Sequence, residues 1–78
     1  MEFNEKKNLI IKFIEERGFI VENDKDLIEA GVIDSMGIID LVLFLEEKVG
    51  VHFDAAQMKA ENFRSVDTIM ALISNNET

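Results

Sequence analysis

The sequence predicts an all-α fold, a small four-helix bundle built from three main helices and one short helix. Apolar residues recur at helical spacing in three separate segments of the chain. No segment shows the sustained alternation of apolar and polar residues that is typical of a β-strand, and the chain contains no proline. We therefore expect one all-helical domain over residues 1–78.

Helix one is predicted over about 3–17, where apolar residues follow the spacing of an amphipathic helix. It should end at Gly18, because glycine is the preferred residue just after a helix. The following loop, over 18–34, has no sustained period. We expect at most one helical turn within it, near 26–30.

The remaining elements follow from the same spacing and from capping residues. Helix two is predicted over about 35–49, with Gly50 placed to cap its C-terminus. A short helix is expected over about 54–61. The last helix is predicted over about 65–74 and begins at a serine, which is a favoured N-cap residue.

Helix two has two apolar faces. At about 100° per residue, one face gathers a broad stripe that must turn towards the core: Ile38, Leu41, Val42, Leu45 and Val49. The opposite face mixes apolar and acidic residues: Met36, Ile39, Asp40, Leu43 and Glu47. A small bundle could bury both faces of its central helix. Burial of unpaired carboxylates costs several kcal/mol, however, so we expect this second face to be an exposed docking surface.

Composition excludes several classes of function. Eight basic residues against sixteen acidic ones give a net charge of −8, so nucleic acid and anionic lipid would repel the chain. Its partners should carry basic patches. The longest apolar run is far shorter than the roughly 20 residues that cross a bilayer. We expect a cytoplasmic monomer without a membrane span.

The residue types also restrict the chemistry. The chain has no cysteine, so it has neither a thiol nucleophile nor a disulfide. Asp24 and Asp26 look like the start of a calcium loop, but Ile28 and Glu29 stand where an oxygen ligand and a glycine are needed. We predict no metal site.

Ser35 raises three possibilities at the start of helix two. It could cap the helix, although Asp34 competes for that role. Catalysis would need a base, and the only histidine, His52, would lie about 20 Å away along a continuous helix. The third reading is that another enzyme modifies Ser35, since a helix N-terminus favours an anion such as a phosphate ester.

The motifs around Ser35 resemble those of the acyl and peptidyl carrier proteins. The resemblance rests on Gly-Val-Ile-Asp-Ser-Met at 31–36, Leu-Glu-Glu at 45–47, Glu-Asn-Phe at 61–63 and the Ser-Val that opens the last helix. It extends over nearly the whole chain. It implies the acyl-carrier type of four-helix bundle.

The resemblance also implies a function. Ser35 would receive 4′-phosphopantetheine from coenzyme A through a separate phosphopantetheinyl transferase that uses magnesium. The arm would hold a cargo as a thioester for ligases, synthases or transferases. Asp34 matches the position that assists transferase recognition, and the docking positions of the family match Met36, Ile39, Asp40, Leu43, Glu46 and Glu47.

Two positions depart from the fatty-acid carriers. Gly37 stands where an acid is usual, and Ile38 replaces a common threonine. The pattern around Ser35 is closer to stand-alone carriers of specialised pathways, including carriers of an amino acid such as D-alanine. The resemblance therefore leaves open whether the cargo belongs to fatty acid biosynthesis, lipid metabolism or another pathway.

Two other functions compete with the carrier, which would not be an enzyme. An acidic adaptor could bind a basic partner through Met36, Ile39 and Leu43 without any prosthetic group. A small hydrolase could use Ser35, but it lacks a nearby histidine.

Overall fold

The computed structural model describes residues 2–21 and 26–77, and within these ranges the chain is helical without a β-strand. The helices are α1 (Phe3–Glu16), α2 (Ser35–Lys48) and α3 (Val66–Asn76). The all-α class predicted from the sequence is confirmed. Part of the predicted loop, residues 22–25, lies outside the described residues, as does Asp24 of the rejected calcium loop.

The predicted fourth helix, over about 54–61, is replaced by two 3₁₀ helices, Ala55–Gln57 and Ala60–Phe63. The polar groups of Gln57 explain the interruption. Its side-chain oxygen accepts a hydrogen bond from Asp54 N at 2.9 Å. Its backbone oxygen accepts one from the Asn62 side chain at 2.8 Å. That oxygen is therefore engaged by a side chain, and Lys59 is already extended (φ −103°, ψ 147°).

Helix α1 ends through a glycine. Gly18 has φ +91°, in the left-handed region that L side chains rarely adopt, and its N–H donates to Glu15 O. Phe19 N reaches back to Ile14 O at 3.4 Å. These bonds satisfy carbonyl groups at the end of the helix, as in the usual glycine stop.

Asp26 and Leu27, in the loop before α2, are bonded to Arg64, which lies just before α3. Asp26 accepts hydrogen bonds from Ile28 N and Glu29 N, which closes one helical turn. Its other carboxylate oxygen pairs with Arg64 Nη1 at 3.0 Å. Leu27, which is fully buried, donates its backbone N–H to Arg64 O at 2.6 Å. The loop therefore enters α2 from a fixed position.

The core lies between the three α-helices and the loop. It contains Ile10, Ile14, Leu27, Val32, Ile33, Ile38, Leu41, Val42, Leu45, Val51, Phe53, Phe63, Val66, Ile69, Met70, Leu72 and Ile73. Four of the five residues predicted for the core face of α2 are buried, and Val49 packs half-buried at the edge.

Three long-range contacts hold α1 and the residue after it against the rest of the fold. The Phe13 and Phe44 rings lie 5.2 Å apart, which joins α1 to α2 in an antiparallel arrangement together with the pair of Arg17 and Asp40. At the other end of α1, the Lys6 ammonium contacts both carboxylate oxygens of Glu77. The Lys6 side chain is only 11% exposed, so this pair is largely shielded from water.

Candidate functional site at the start of helix α2

Asp34, not Ser35, caps helix α2. Asp34 is extended (φ −113°, ψ −171°), and its Oδ1 accepts a hydrogen bond from Gly37 N at 2.8 Å. Its backbone oxygen accepts the first helical bond, from Ile38 N at 2.9 Å. Ser35 is consequently the first residue inside the helix. The alternative that Ser35 serves as the N-cap is wrong, and its hydroxyl is not used for that purpose.

The hydroxyl of Ser35 is available to other molecules. The residue is exposed, and its side chain makes no hydrogen bond to any of the residues 2–21 and 26–77. It lies at the N-terminal end of a helix of 14 residues, where the helix dipole carries partial positive charge. The site can therefore accept a phosphoryl group without breaking an existing interaction of the serine.

One face of α2 beside Ser35 is apolar and open. Met36 is 65% exposed, Ile39 43% and Leu43 59%. Asp40 and Glu47 are exposed on the same side of the helix. Large apolar side chains in this number on one exposed helix face are typical of a surface that another protein covers.

Glu46 differs from the other predicted docking residues. Its side chain is 29% exposed, and Oε2 accepts a hydrogen bond from Phe53 N at 3.1 Å. The same oxygen lies 3.3 Å from Nδ1 of His52. This carboxylate holds the segment that follows α2, so it has an intramolecular role in the fold.

The position of His52 excludes a dyad with Ser35. His52 follows the C-terminal end of α2, and the helix of 14 residues separates it from Ser35 by about 20 Å. Its side chain is 86% exposed, as expected for a surface residue. The geometry gives Ser35 no histidine base.

An arginine that the sequence patterns did not single out also lies at this end of α2. Arg17 Nη1 is 3.3 Å from Asp40 Oδ2. The pair joins residues 23 positions apart, so helical spacing within one segment could not reveal it. Arg17 therefore brings a cation to the acidic side of the docking face.

Asp26, in the loop before α2, has a structural role. Hydrogen bonding from Glu29 N holds the pKa of Asp26 below its usual value, and the Arg64 guanidinium adds to this against the opposing effect of burial. Within the described part of the chain, no group of three histidine, aspartate or glutamate side chains could hold a metal ion.

Two open grooves are lined by residues of α1, and the second also by residues of α2. One, of about 300 Å³, is lined by Glu5, Asn8, Leu9 and Lys12, and the other, of about 370 Å³, by Leu9, Lys12, Glu16, Phe44 and Lys48. Neither groove includes Ser35.

Among residues 2–21 and 26–77, no helix is long and apolar enough to span a bilayer.

Comparison with known proteins gives a distant similarity. No model of a protein family matches the chain. Two D-alanyl carrier proteins, from Streptococcus suis strains 05ZYH33 and 98HAH33, are each 31% identical over 48 residues. The match covers 62% of this chain and 61% of each relative, so it spans about three fifths of their length.

Both relatives are named as carrier proteins, in agreement with the prediction that this chain is not an enzyme. The described residues form a small helical structure with three α-helices, which is consistent with an acyl-carrier-like fold. The predicted resemblance is thus supported as a distant similarity to a small carrier protein of the acyl carrier family.

Proposed function

We propose that the chain is a carrier protein that holds an acyl or aminoacyl group as a thioester on a 4′-phosphopantetheine arm attached to Ser35. One observation carries the proposal. The Ser35 hydroxyl is exposed and unpaired among the described residues, while Asp34 performs the capping that would otherwise occupy it. A cysteine-free chain needs such an arm to present a thiol.

The residues at the start of α2 fit the phosphate end of this arm. Ser35 Oγ would form the new phosphodiester bond with the pantetheine phosphate of coenzyme A, and adenosine 3′,5′-bisphosphate would leave. Asp34 Oδ1 is occupied by Gly37 N, which leaves Oδ2 for contact with the transferase. The only histidine, His52, is too far from Ser35 to take the serine proton, and we expect a base supplied with the transferase to take it.

An aminoacyl cargo is the favoured form of this proposal. The two relatives are named for D-alanine, and D-alanine is therefore the first cargo to test. The comparison with known proteins gives no reason to prefer a cargo of fatty acid biosynthesis to D-alanine.

The partners in this proposal bind the exposed face of α2. Met36, Ile39 and Leu43 supply apolar contact area, and Asp40 and Glu47 supply negative charge. The surface suits a phosphopantetheinyl transferase, a loading ligase and an unloading synthase or transferase, each with an apolar patch surrounded by basic residues. The cytoplasmic location and the monomeric state predicted from the sequence remain part of the proposal.

The test is attachment of the arm in vitro. The chain is incubated with coenzyme A, magnesium and a transferase of broad carrier specificity, and its intact mass is measured. We expect the mass of one phosphopantetheine in the parent chain and in the Ser74→Ala variant. Ser74 is exposed on α3, so this variant is a matched control for loss of a hydroxyl.

The Ser35→Ala variant should keep its fold and gain no mass. Attachment in that variant would refute the assignment of Ser35. An unmodified parent chain would refute the carrier function and favour the adaptor, which would use the same exposed face without a prosthetic group.

A further inference from the structure

Arg17 lies across the first turns of α2 instead of projecting into solvent. It is the residue that follows the last residue of α1, and its side chain is 34% exposed. The guanidinium carbon lies 5.5 Å from the centre of the Phe13 ring. Contact with an aromatic face and with α2 holds this cation in a defined place.

Gly37 leaves space for this arrangement. A methyl group at Gly37 would lie 3.6 Å from Arg17 Nη2 and 3.3 Å from Asp34 Oδ1. The contact with Asp34 Oδ1 is tight, whereas the distance to Arg17 Nη2 is an ordinary van der Waals contact. The guanidinium therefore lies directly over the backbone of α2 at Gly37, within contact distance of any side chain placed there.

The consequence concerns Asp40. Its carboxylate lies on the proposed docking face, and Oδ2 is 3.3 Å from Arg17 Nη1. The Asp40 side chain is 51% exposed, so a partner can reach it but meets a cation beside it. A basic residue that approaches Asp40 is therefore partly repelled by Arg17.

We propose that Arg17 masks Asp40 from the phosphopantetheinyl transferase. The transferase places an arginine or lysine opposite Asp40, and it therefore binds this chain more weakly than it would without Arg17. This inference rests on the proposed carrier function. It assigns a role to Arg17, which directly follows α1 and is not part of α2.

The test compares four chains as substrates of the same broad-specificity transferase: the parent, Arg17→Gln, Asp40→Asn and the double variant. Glutamine keeps the stem that packs on Phe13 and removes the charge. Lys12→Gln is the matched control, because Lys12 is also on α1 and exposed but forms no ion pair with Asp40. The readout is KM and kcat for attachment of the arm, measured separately.

We expect Arg17→Gln to lower KM about threefold to fivefold, the range of a surface charge pair, with little change in kcat. Lys12→Gln should shift KM less than about twofold. Asp40→Asn should raise KM by a larger factor in the Arg17→Gln background than in the parent, which measures the masking directly.

Three results would overturn the inference. An Arg17→Gln effect equal to that of Lys12→Gln would show only a general charge effect. Equal effects of Asp40→Asn in both backgrounds would show that Arg17 does not mask Asp40. A lower kcat in Arg17→Gln would assign Arg17 to the transfer step. A parent chain that acquires no arm refutes the carrier function, which distinguishes that failure from these three.

Discussion

The cap of α2 allows the structural role of Asp34 to be separated from its proposed role in recognition. Asp34→Ala removes the acceptor for Gly37 N, a hydrogen bond of 2.8 Å. Loss of such an N-cap costs about 1 kcal/mol. Asp34→Asn keeps a side-chain oxygen in the same place, and asparagine caps about as well as aspartate. It loses only the favourable charge at the helix N-terminus, about 0.3 kcal/mol at an exposed site.

Thermal unfolding followed by circular dichroism measures the melting temperature of both variants. A loss of about 1 kcal/mol lowers the melting temperature of a domain of this size by about 4–8 °C. We expect that shift for Asp34→Ala and about a third of it for Asp34→Asn. In the attachment assay, both variants should lose activity if the transferase reads the charge of Asp34.

Equal destabilisation by the two Asp34 variants would refute the capping role. Full transferase activity of Asp34→Asn would refute recognition of the charge, while leaving the cap intact. The two assays therefore test separate statements about one residue.

Three further predictions concern the scaffold. Gly18→Ala should lower the free energy of unfolding, measured in urea, by about 1 kcal/mol. The cost comes from the backbone alone, because φ is +91° and no atom lies within 4 Å of the added methyl. An unchanged free energy of unfolding would contradict the left-handed end of α1. Lys6→Ala should cost about 1 kcal/mol, and a double-mutant cycle with Glu77→Gln should show coupling, whereas additive effects would exclude a productive pair. The pKa of Asp26 is lowered in the folded chain. Ionised Asp26 therefore stabilises the fold at any pH above its pKa in the unfolded chain, and this stabilisation is lost as the pH falls through its pKa in the folded chain. Relative to Asp26→Asn, the parent should lose stability below about pH 4, and parallel pH profiles would contradict the bonds to Glu29 N and Arg64.

Local spacing predicts the main helices and the core face of α2 because both depend on residues three and four apart. Leu41 and Leu45, for example, are fully buried where the spacing requires it. The prediction for the opposite face of α2, that its acidic residues keep it exposed to solvent, follows from the cost of burying a carboxylate. Exposed Met36 and Leu43 agree with it.

The segment after α2 could not be predicted in the same way. The interruption at Gln57 depends on a side-chain bond from Asn62 and on further bonds to Asn76, which lies 19 residues away. Spacing within a single segment carries no information on such partners. The helix-forming residues of the segment 54–61 therefore predict one short helix, where the structure has two 3₁₀ helices.

The site was partly predictable for similar reasons. Asp34 and Ser35 are both favoured N-cap residues, so sequence alone left the cap open until the backbone showed which side chain reaches Gly37 N. Arg17 was missed because its partner Asp40 is on another helix. Glu46 is predicted for docking by the family resemblance and not by helical spacing, and its carboxylate is engaged by Phe53 N.

The most direct test of the carrier function is the intact mass of the chain purified from its native cells without alkaline or thiol treatment. We expect an added mass of one phosphopantetheine, with or without cargo, that peptide mapping locates on Ser35. D-alanine would appear as the corresponding extra mass on the arm. An unmodified chain that also stays unmodified with coenzyme A, magnesium and a permissive transferase would contradict the account.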